Sequence, residues 1–184
     1  MDSLRNGQTE LVNTNKLVRF YEGTTGLKTG TTSKAGCCVS ASAEREGTHL
    51  VAVVMGSENS SDRFETAKSM LNWGFANYTT VTPAIDGTLI PEVGVINGVE
   101  EKIKPEIPLT ESVLIEKGRE GEITQTIDLA VDVAAPVEKG QVLGTVTFRL
   151  GDELLGEYNL TAPHRVDGLT FMIVFRRILK AIVS

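Results

Sequence analysis

Gly26-Leu27-Lys28-Thr29-Gly30-Thr31-Thr32, followed by Ala35-Gly36-Cys37-Cys38, is the stretch whose reading decides the fold. Behind it come a run of small and β-branched residues, Cys38-Val39-Ser40-Ala41-Ser42-Ala43, and a polar turn at Glu44-Arg45-Glu46-Gly47. An apolar run from Leu50 to Met55 follows. Short apolar runs bounded by glycine and charge read as strands. The pattern therefore predicts three antiparallel strands, with Lys28-Thr29-Gly30 on the first.

The chemistry of that tripeptide can be stated from the residues. Lys28 places a fixed positive charge where it attracts a carboxylate and favours proton loss from its neighbours. The Thr29 hydroxyl can donate to the same carboxylate. Gly30 has no Cβ, so an extended ligand backbone can lie close against the strand. Taken alone, three such common residues mark only a turn with a solvated lysine. The surrounding residues change that reading.

Val12-Asn13-Thr14-Asn15-Lys16-Leu17 and Phe20-Tyr21 precede the tripeptide, and Val53-Val54-Met55-Gly56, Asp62-Arg63-Phe64 and Trp73-Gly74-Phe75-Ala76-Asn77-Tyr78 follow it. Farther on stand Ala135-Pro136-Val137 and Lys139-Gly140-Gln141-Val142-Leu143-Gly144. Together these resemble the low-molecular-weight D-alanyl-D-alanine carboxypeptidases, penicillin-binding proteins of peptidase family S11, over nearly the whole chain. The resemblance implies a serine-type acyl-transfer enzyme acting on peptidoglycan stem peptides that end in D-Ala-D-Ala, with β-lactams as mimics that trap the acyl-enzyme. It implies roles for Lys28, Thr29 and Gly30 as the Lys-Thr-Gly motif, for the Thr31 backbone N–H as an oxyanion donor, and for Thr29 and Arg63 in holding the substrate carboxylate. An arginine suits that last task because its planar fork grips a carboxylate through two hydrogen bonds. It also implies an extracytoplasmic location, on the outer face of the bacterial cytoplasmic membrane.

One departure matters. The family carries its nucleophile in Ser-x-x-Lys, and no serine of these 184 residues has a lysine three positions later. Ser57-Glu58-Asn59 has the letters of the family's Ser-x-Asn but follows Lys28, so it reads as a coincidence in a connecting loop. The chain is expected to be a C-terminal portion of such an enzyme, inactive by itself. A competing reading is a non-catalytic, membrane-proximal β module or pedestal. A β-lactamase would share the tripeptide but not the appended β region.

Composition is that of a globular protein, with 41% hydrophobic and 23% charged residues. Residues 1–80 carry eight acidic and eight basic side chains, and residues 81–160 fifteen acidic and six basic. Such an acidic middle argues against nucleic acid as a partner. Cys37 and Cys38 are adjacent on a strand, so a bond between them would be strained, and two free thiols are expected, at least one in the core. Neither these nor the distant His49 and His164 have metal-ligand spacing, and no cofactor is implied. Lys139, beside Gly140, lacks the flanking pattern of a biotinyl or lipoyl carrier turn.

The expected fold is α+β. Residues 1–82 form a partial penicillin-binding/β-lactamase-like antiparallel sheet with a helix. That helix starts at Ser60-Ser61-Asp62, with Asp62 and Glu65 as a capping box and Phe64, Ala67, Leu71, Gly74, Phe75 and Tyr78 as its apolar stripe. Residues 84–163 form a small all-β sandwich, with strands at 112–116, 123–133, 142–150 and 154–160, the last two joined at Gly151-Asp152-Glu153. Residues 166–184 form an amphipathic helix. Phe171, Val174, Phe175, Ile178, Leu179, Ile182 and Val183 make its apolar face, and Arg176, Arg177 and Lys180 its basic one, so residues 169–184 are expected to lie on a membrane surface.

Overall fold

The computed structural model describes residues 2–4, 9–11 and 13–175. Two compact units emerge. The first holds the described residues up to Val81 together with Leu114–Glu120; the second holds Thr82–Val113 and the described residues from Gly121 onward. Leu114–Glu120, expected in the second domain, therefore group with the first.

In the first unit, β1 (Asp2–Leu4) and β2 (Thr9–Leu11) pair antiparallel, and a single turn of helix, α1 (Leu17–Phe20), follows. Then come β3 (Thr24–Thr32), β4 (Gly36–Arg45) and β5 (Thr48–Ser57), an antiparallel sheet in that spatial order, as the alternation predicts. β4 and β5 turn at Glu46 and Gly47, whose φ values of 49° and 75° suit a two-residue hairpin turn that follows the strand twist. Alternation sets the faces. Val39, Ala41 and Ala43 of β4 and Ala52 and Val54 of β5 are buried on one side, and helix α2 (Ser60–Asn77) covers them with Phe64, Ala67, Leu71 and Phe75. Gly74 lets the helix approach closely, since a Cβ there would lie 2.6 Å from Leu50 Cδ1.

The helix is capped differently from expectation. Asn59 is the N-cap, and its Oδ1 accepts from the backbone N–H groups of Ser61 and Asp62 at 3.1 and 2.9 Å. Asp62 therefore sits inside the first turn, and no capping box from it is needed. The side chain of Asn59 gives Ser57-Glu58-Asn59 a structural reason for its asparagine. Tyr78, expected on the helical stripe, opens the short strand β6 (Tyr78–Val81). Cys37 and Cys38 are both free, but neither lies in the core: both are half-buried at the start of β4, where the register with β5 shifts.

The second unit contains β7 (Val93–Ile96) and β8 (Lys102–Ile103), after which β9 (Val113–Glu116) pairs with β6. There follow β10 (Ile123–Leu129), β11 (Asp132–Ala134), β12 (Val142–Leu150) and β13 (Glu153–Thr161). β10, β12 and β13 form one antiparallel sheet; β11, β7 and β8 form another, in which β11 and β7 run parallel. The strand expected over 123–133 is two strands, broken at Ala130 and Val131. Two clusters fill this unit: Val93, Val95, Ile103, Val137, Leu143, Ala162 and Val166, and beside them Ile90, Val146, Phe148 and Leu160, with Leu129 touching both.

Val166, expected to start the C-terminal helix, is fully buried and bridges to Val137 through two 2.9 Å backbone bonds. Among the described residues of the tail, 171–175 are helical, with the Phe171 and Phe175 rings stacked at 6.0 Å. The remainder of the expected tail, 176–184, lies outside the described residues. Among the described residues no helix is long and apolar enough to cross a membrane.

Candidate active site

β3 is an edge strand, and it carries all four members of the Lys28–Thr31 group. Its pairing with β4 sets Lys28 opposite Ser40, Thr29 opposite Val39, Gly30 opposite Cys38 and Thr31 opposite Cys37. Residues opposite each other in an antiparallel pair share a face. Val39 points toward α2, so Thr29 and Thr31 lie on the helix side, and Lys28 and Gly30 on the other.

Lys28 is exposed, and its Nζ donates to the Thr29 carbonyl at 2.8 Å. Gly30 has open space where a side chain would begin, with nothing within 4 Å. Thr29 is half-buried, and its Oγ1 lies 2.8 Å from Thr14 Oγ1. One hydroxyl of that pair must donate to the other, so Thr14 constrains where the Thr29 hydrogen points. Thr14 is held in turn by its neighbours. Asn15 is 1% exposed, and its Nδ2 donates to the Gly26 carbonyl while its Oδ1 accepts from Leu17 N–H. This brace was missed in the sequence. Its signal was present: Asn13-Thr14-Asn15, three residues that bond to nearby backbone, stand directly before the apolar Leu17.

Arg63 is where the tripeptide reading needs a cation, yet its environment is unexpected. It is buried, 7% exposed, and its Nη1 donates to the Gly30 carbonyl, Thr31 Oγ1 and the Cys38 carbonyl, each at 3.1 Å. Its Nη2 donates to Ser60 Oγ at 3.0 Å. The guanidinium thus ties β3 to β4 from the helix side, and its buried Nε has no partner. Two carbonyls compensate for bringing this charge out of water. The four acceptors take Nη1 and one N–H of Nη2, and the Nε–H is left buried without a partner. Among the described residues no group of three or more metal-ligating side chains occurs.

Residues 2–59 match the family model of D-alanyl-D-alanine carboxypeptidase, and residues 78–167 match that of the penicillin-binding protein 5 C-terminal domain. The chain is 31% identical over 168 residues to D-alanyl-D-alanine carboxypeptidase DacF of Bacillus subtilis, covering 91% of this chain and 43% of that protein. It is 35% identical over 143 residues to DacA of Haemophilus influenzae, covering 77% and 36% respectively. The crystal structure of penicillin binding protein 5 from Haemophilus influenzae superposes with a TM-score of 0.63 at 32% identity, over 83% of this chain and 45% of that one. The chain therefore spans less than half the length of these relatives. With the Lys-Thr-Gly strand, the helix behind it and the β unit all accounted for in one family, the chain belongs to the D-alanyl-D-alanine carboxypeptidases.

Proposed function

We propose that this chain supplies the carboxylate-binding strand and the C-terminal β unit of a serine-type D-Ala-D-Ala carboxypeptidase that trims the terminal D-alanine from peptidoglycan stem peptides. The observation that carries the reading is the placement of Lys28-Thr29-Gly30 on an edge strand, with Gly30 facing open space. An extended peptide can lie against that edge, its carboxylate meeting the Thr29 hydroxyl and the field of Lys28. The Thr31 N–H serves as one oxyanion donor. Arg63 acts as a positioning residue: its Nη1 fixes the Gly30 carbonyl and Thr31 Oγ1, and its charge adds to the field at the same place.

The nucleophile does not come from these residues, since none of their serines stands in Ser-x-x-Lys. β-Lactams are trapped only where that serine is present. The enzyme works outside the cytoplasmic membrane, and residues 169–184 lie on the membrane surface. Exposed Phe171, Met172 and Phe175 support that role for the tail.

Two measurements test the site. Incubation with a fluorescent penicillin, followed by a denaturing gel, gives no covalent label; a stoichiometric band would show a nucleophile within this chain. Titration with a D-Ala-D-Ala-terminated peptide shifts the amide resonances of Thr29, Gly30 and Thr31, and Thr29→Val removes the response. Unmoved amides at saturating peptide overturn the carboxylate assignment.

A further inference from the structure

The tail leaves the second unit from a joint with no slack. The turn between β7 and β8, residues 97–101, lies side by side with residues 166–169. Val99 N–H donates to the Asp167 carbonyl at 2.9 Å and Leu169 N–H to the Asn97 carbonyl at 2.7 Å, with a bridge between Gly98 and Gly168. Gly98 permits the close approach, because a Cβ there would lie 2.7 Å from the Glu100 carbonyl oxygen and 3.2 Å from Val166 Cγ1. Ile96, which leads into the turn, is 52% exposed and stands beside Ala134, its partner on β11. Leu169 is 37% exposed, and Phe171, where the helix begins, 82%. From Leu169 to Phe171 the chain takes two steps, which span at most about 7 Å.

We propose that this turn is a second lipid contact, with Ile96 seated in the headgroup layer of a phospholipid surface beside the tail, so that the β unit is held at two points. The inference rests on the reading that residues 169–184 lie on such a surface, and it goes beyond that reading. Length carries it. An interfacial helix sinks about 5–10 Å into the headgroup boundary. Phe171 at that depth draws Leu169, and with it the Asn97 end of the turn, to the same layer. Charge selects lipid as the occupant. Residues 81–160 hold fifteen acidic and six basic side chains, which an anionic surface repels. Around the joint that charge is offset: Arg165 pairs with Glu138 at 3.0 Å and with Asp167 at 2.7 Å, and His164 Nε2 lies 3.0 Å from both oxygens of Glu100. Glu101, exposed, is the turn's remaining carboxylate. Past the joint the sequence supplies Arg176, Arg177 and Lys180. An apolar tip ringed by paired charges and followed by cations is the pattern of an interfacial contact.

Vesicles of phosphatidylglycerol with phosphatidylethanolamine test this on the full chain. Trp73 is the sole tryptophan, so Trp73→Phe gives a background in which Ile96→Trp reports depth. Leu154→Trp, 52% exposed at the far end of β12 and β13 from Thr161, is the comparison. On vesicles, emission of the Ile96→Trp chain moves to shorter wavelength and is quenched by phospholipids brominated on their acyl chains, while the Leu154→Trp chain is unchanged. Hydrogen exchange over residues 94–101 slows. Ile96→Asp keeps the circular dichroism of the parent and weakens vesicle binding roughly three- to ten-fold. Binding that leaves the Ile96→Trp chain unquenched, or full affinity in Ile96→Asp, overturns the second contact and leaves the tail reading standing. No binding at all overturns both. Binding that survives deletion of residues 169–184, with Ile96→Trp still quenched, removes the tail reading and upholds the turn. Exchange over 94–101 that slows with protein concentration in the absence of vesicles gives the surface to a second copy and overturns the lipid proposal.

Discussion

The β3-β4-β5 sheet of the first unit and the β10-β12-β13 sheet of the second are both three-stranded and antiparallel, and both bury one face. They differ in the other face. The second turns Thr124, Thr126, Asp128, Thr145, Thr147 and Arg149 outward, against the buried Val146, Phe148 and Leu150. The first turns Val51, Val53 and Met55 outward from β5, beside Ser40 and Ser42 of β4. A one-sided sheet in water needs a polar outer face. The second sheet meets that requirement and the first does not.

If that difference reflects two separate cores, the largest effects should stay within one unit. Leu71, 1% exposed, and Phe148, 2% exposed, are buried in different clusters. Leu71→Ala is expected to cost about 2–5 kcal/mol and to shift the urea transition followed by Trp73 emission. Phe148→Ala should cost about 3–5 kcal/mol by far-ultraviolet circular dichroism and leave the Trp73 transition in place. Coincident shifts by both probes would break the comparison and make the chain one cooperative body.

Arg63→Ala should come next. It leaves the Gly30 and Cys38 carbonyls without their guanidinium partner, at about 1–3 kcal/mol for each group left buried and unpaired. Arg63→Lys should recover little, because an ammonium cannot reach β3, β4 and Ser60 together. A lysine variant as stable as the parent would show that charge alone suffices. Smaller again, Asn59→Ala should cost about 1 kcal/mol, and Asp62→Ala a fraction of that, by thermal unfolding. The reverse order would restore Asp62 as the cap.

The smallest expected effects separate the units by pH. Burial raises the Tyr21 hydroxyl pKa above 10.0, an effect opposed by Arg45. The folded first unit therefore favours neutral Tyr21; that contribution is intact below the ordinary value and is lost as pH climbs through the raised one. Bonds from Thr88 lower the Asp86 pKa below 3.8 in the second unit. Its contribution is present above that value and is lost as pH falls through the lowered one. Tyr21→Phe should flatten only the alkaline limb and Asp86→Asn only the acid limb.

What could be read from the sequence was local. β4, β5 and α2 announce themselves by period, and Val142–Leu150 was bounded correctly because a Gly-Asp turn ends it. Asp62 was mistaken for the cap because Asp62-x-x-Glu65 imitates a capping box, whereas Asn59 is fixed only by backbone geometry. β7 and β8 were missed because Pro91, Asn97-Gly98 and Pro105 cut them to four and two residues. Lys28, Thr29 and Gly30 were legible as a motif. The state of Arg63 was not, because three of its four acceptors lie 25 to 33 residues away on two strands. Thr14 escaped for the same reason: only the folded edge brings its hydroxyl to Thr29.

β9 pairs with β6, although the 31 residues from Thr82 to Ser112 separate them and fold into the other unit. On a ribosome, where the chain emerges from its N-terminus, β3, β4, β5 and α2 leave the exit tunnel as one unbroken stretch and can assemble at once. β6 cannot. It must wait, unpaired, until Glu116 has cleared the tunnel, and by then β7 and β8 have emerged ahead of most of their own partners. For that interval the nascent chain displays two unfinished sheets together. A pause in translation just before Val113 would prolong that exposure, which ends for β6 only once Val113–Glu116 have cleared the tunnel.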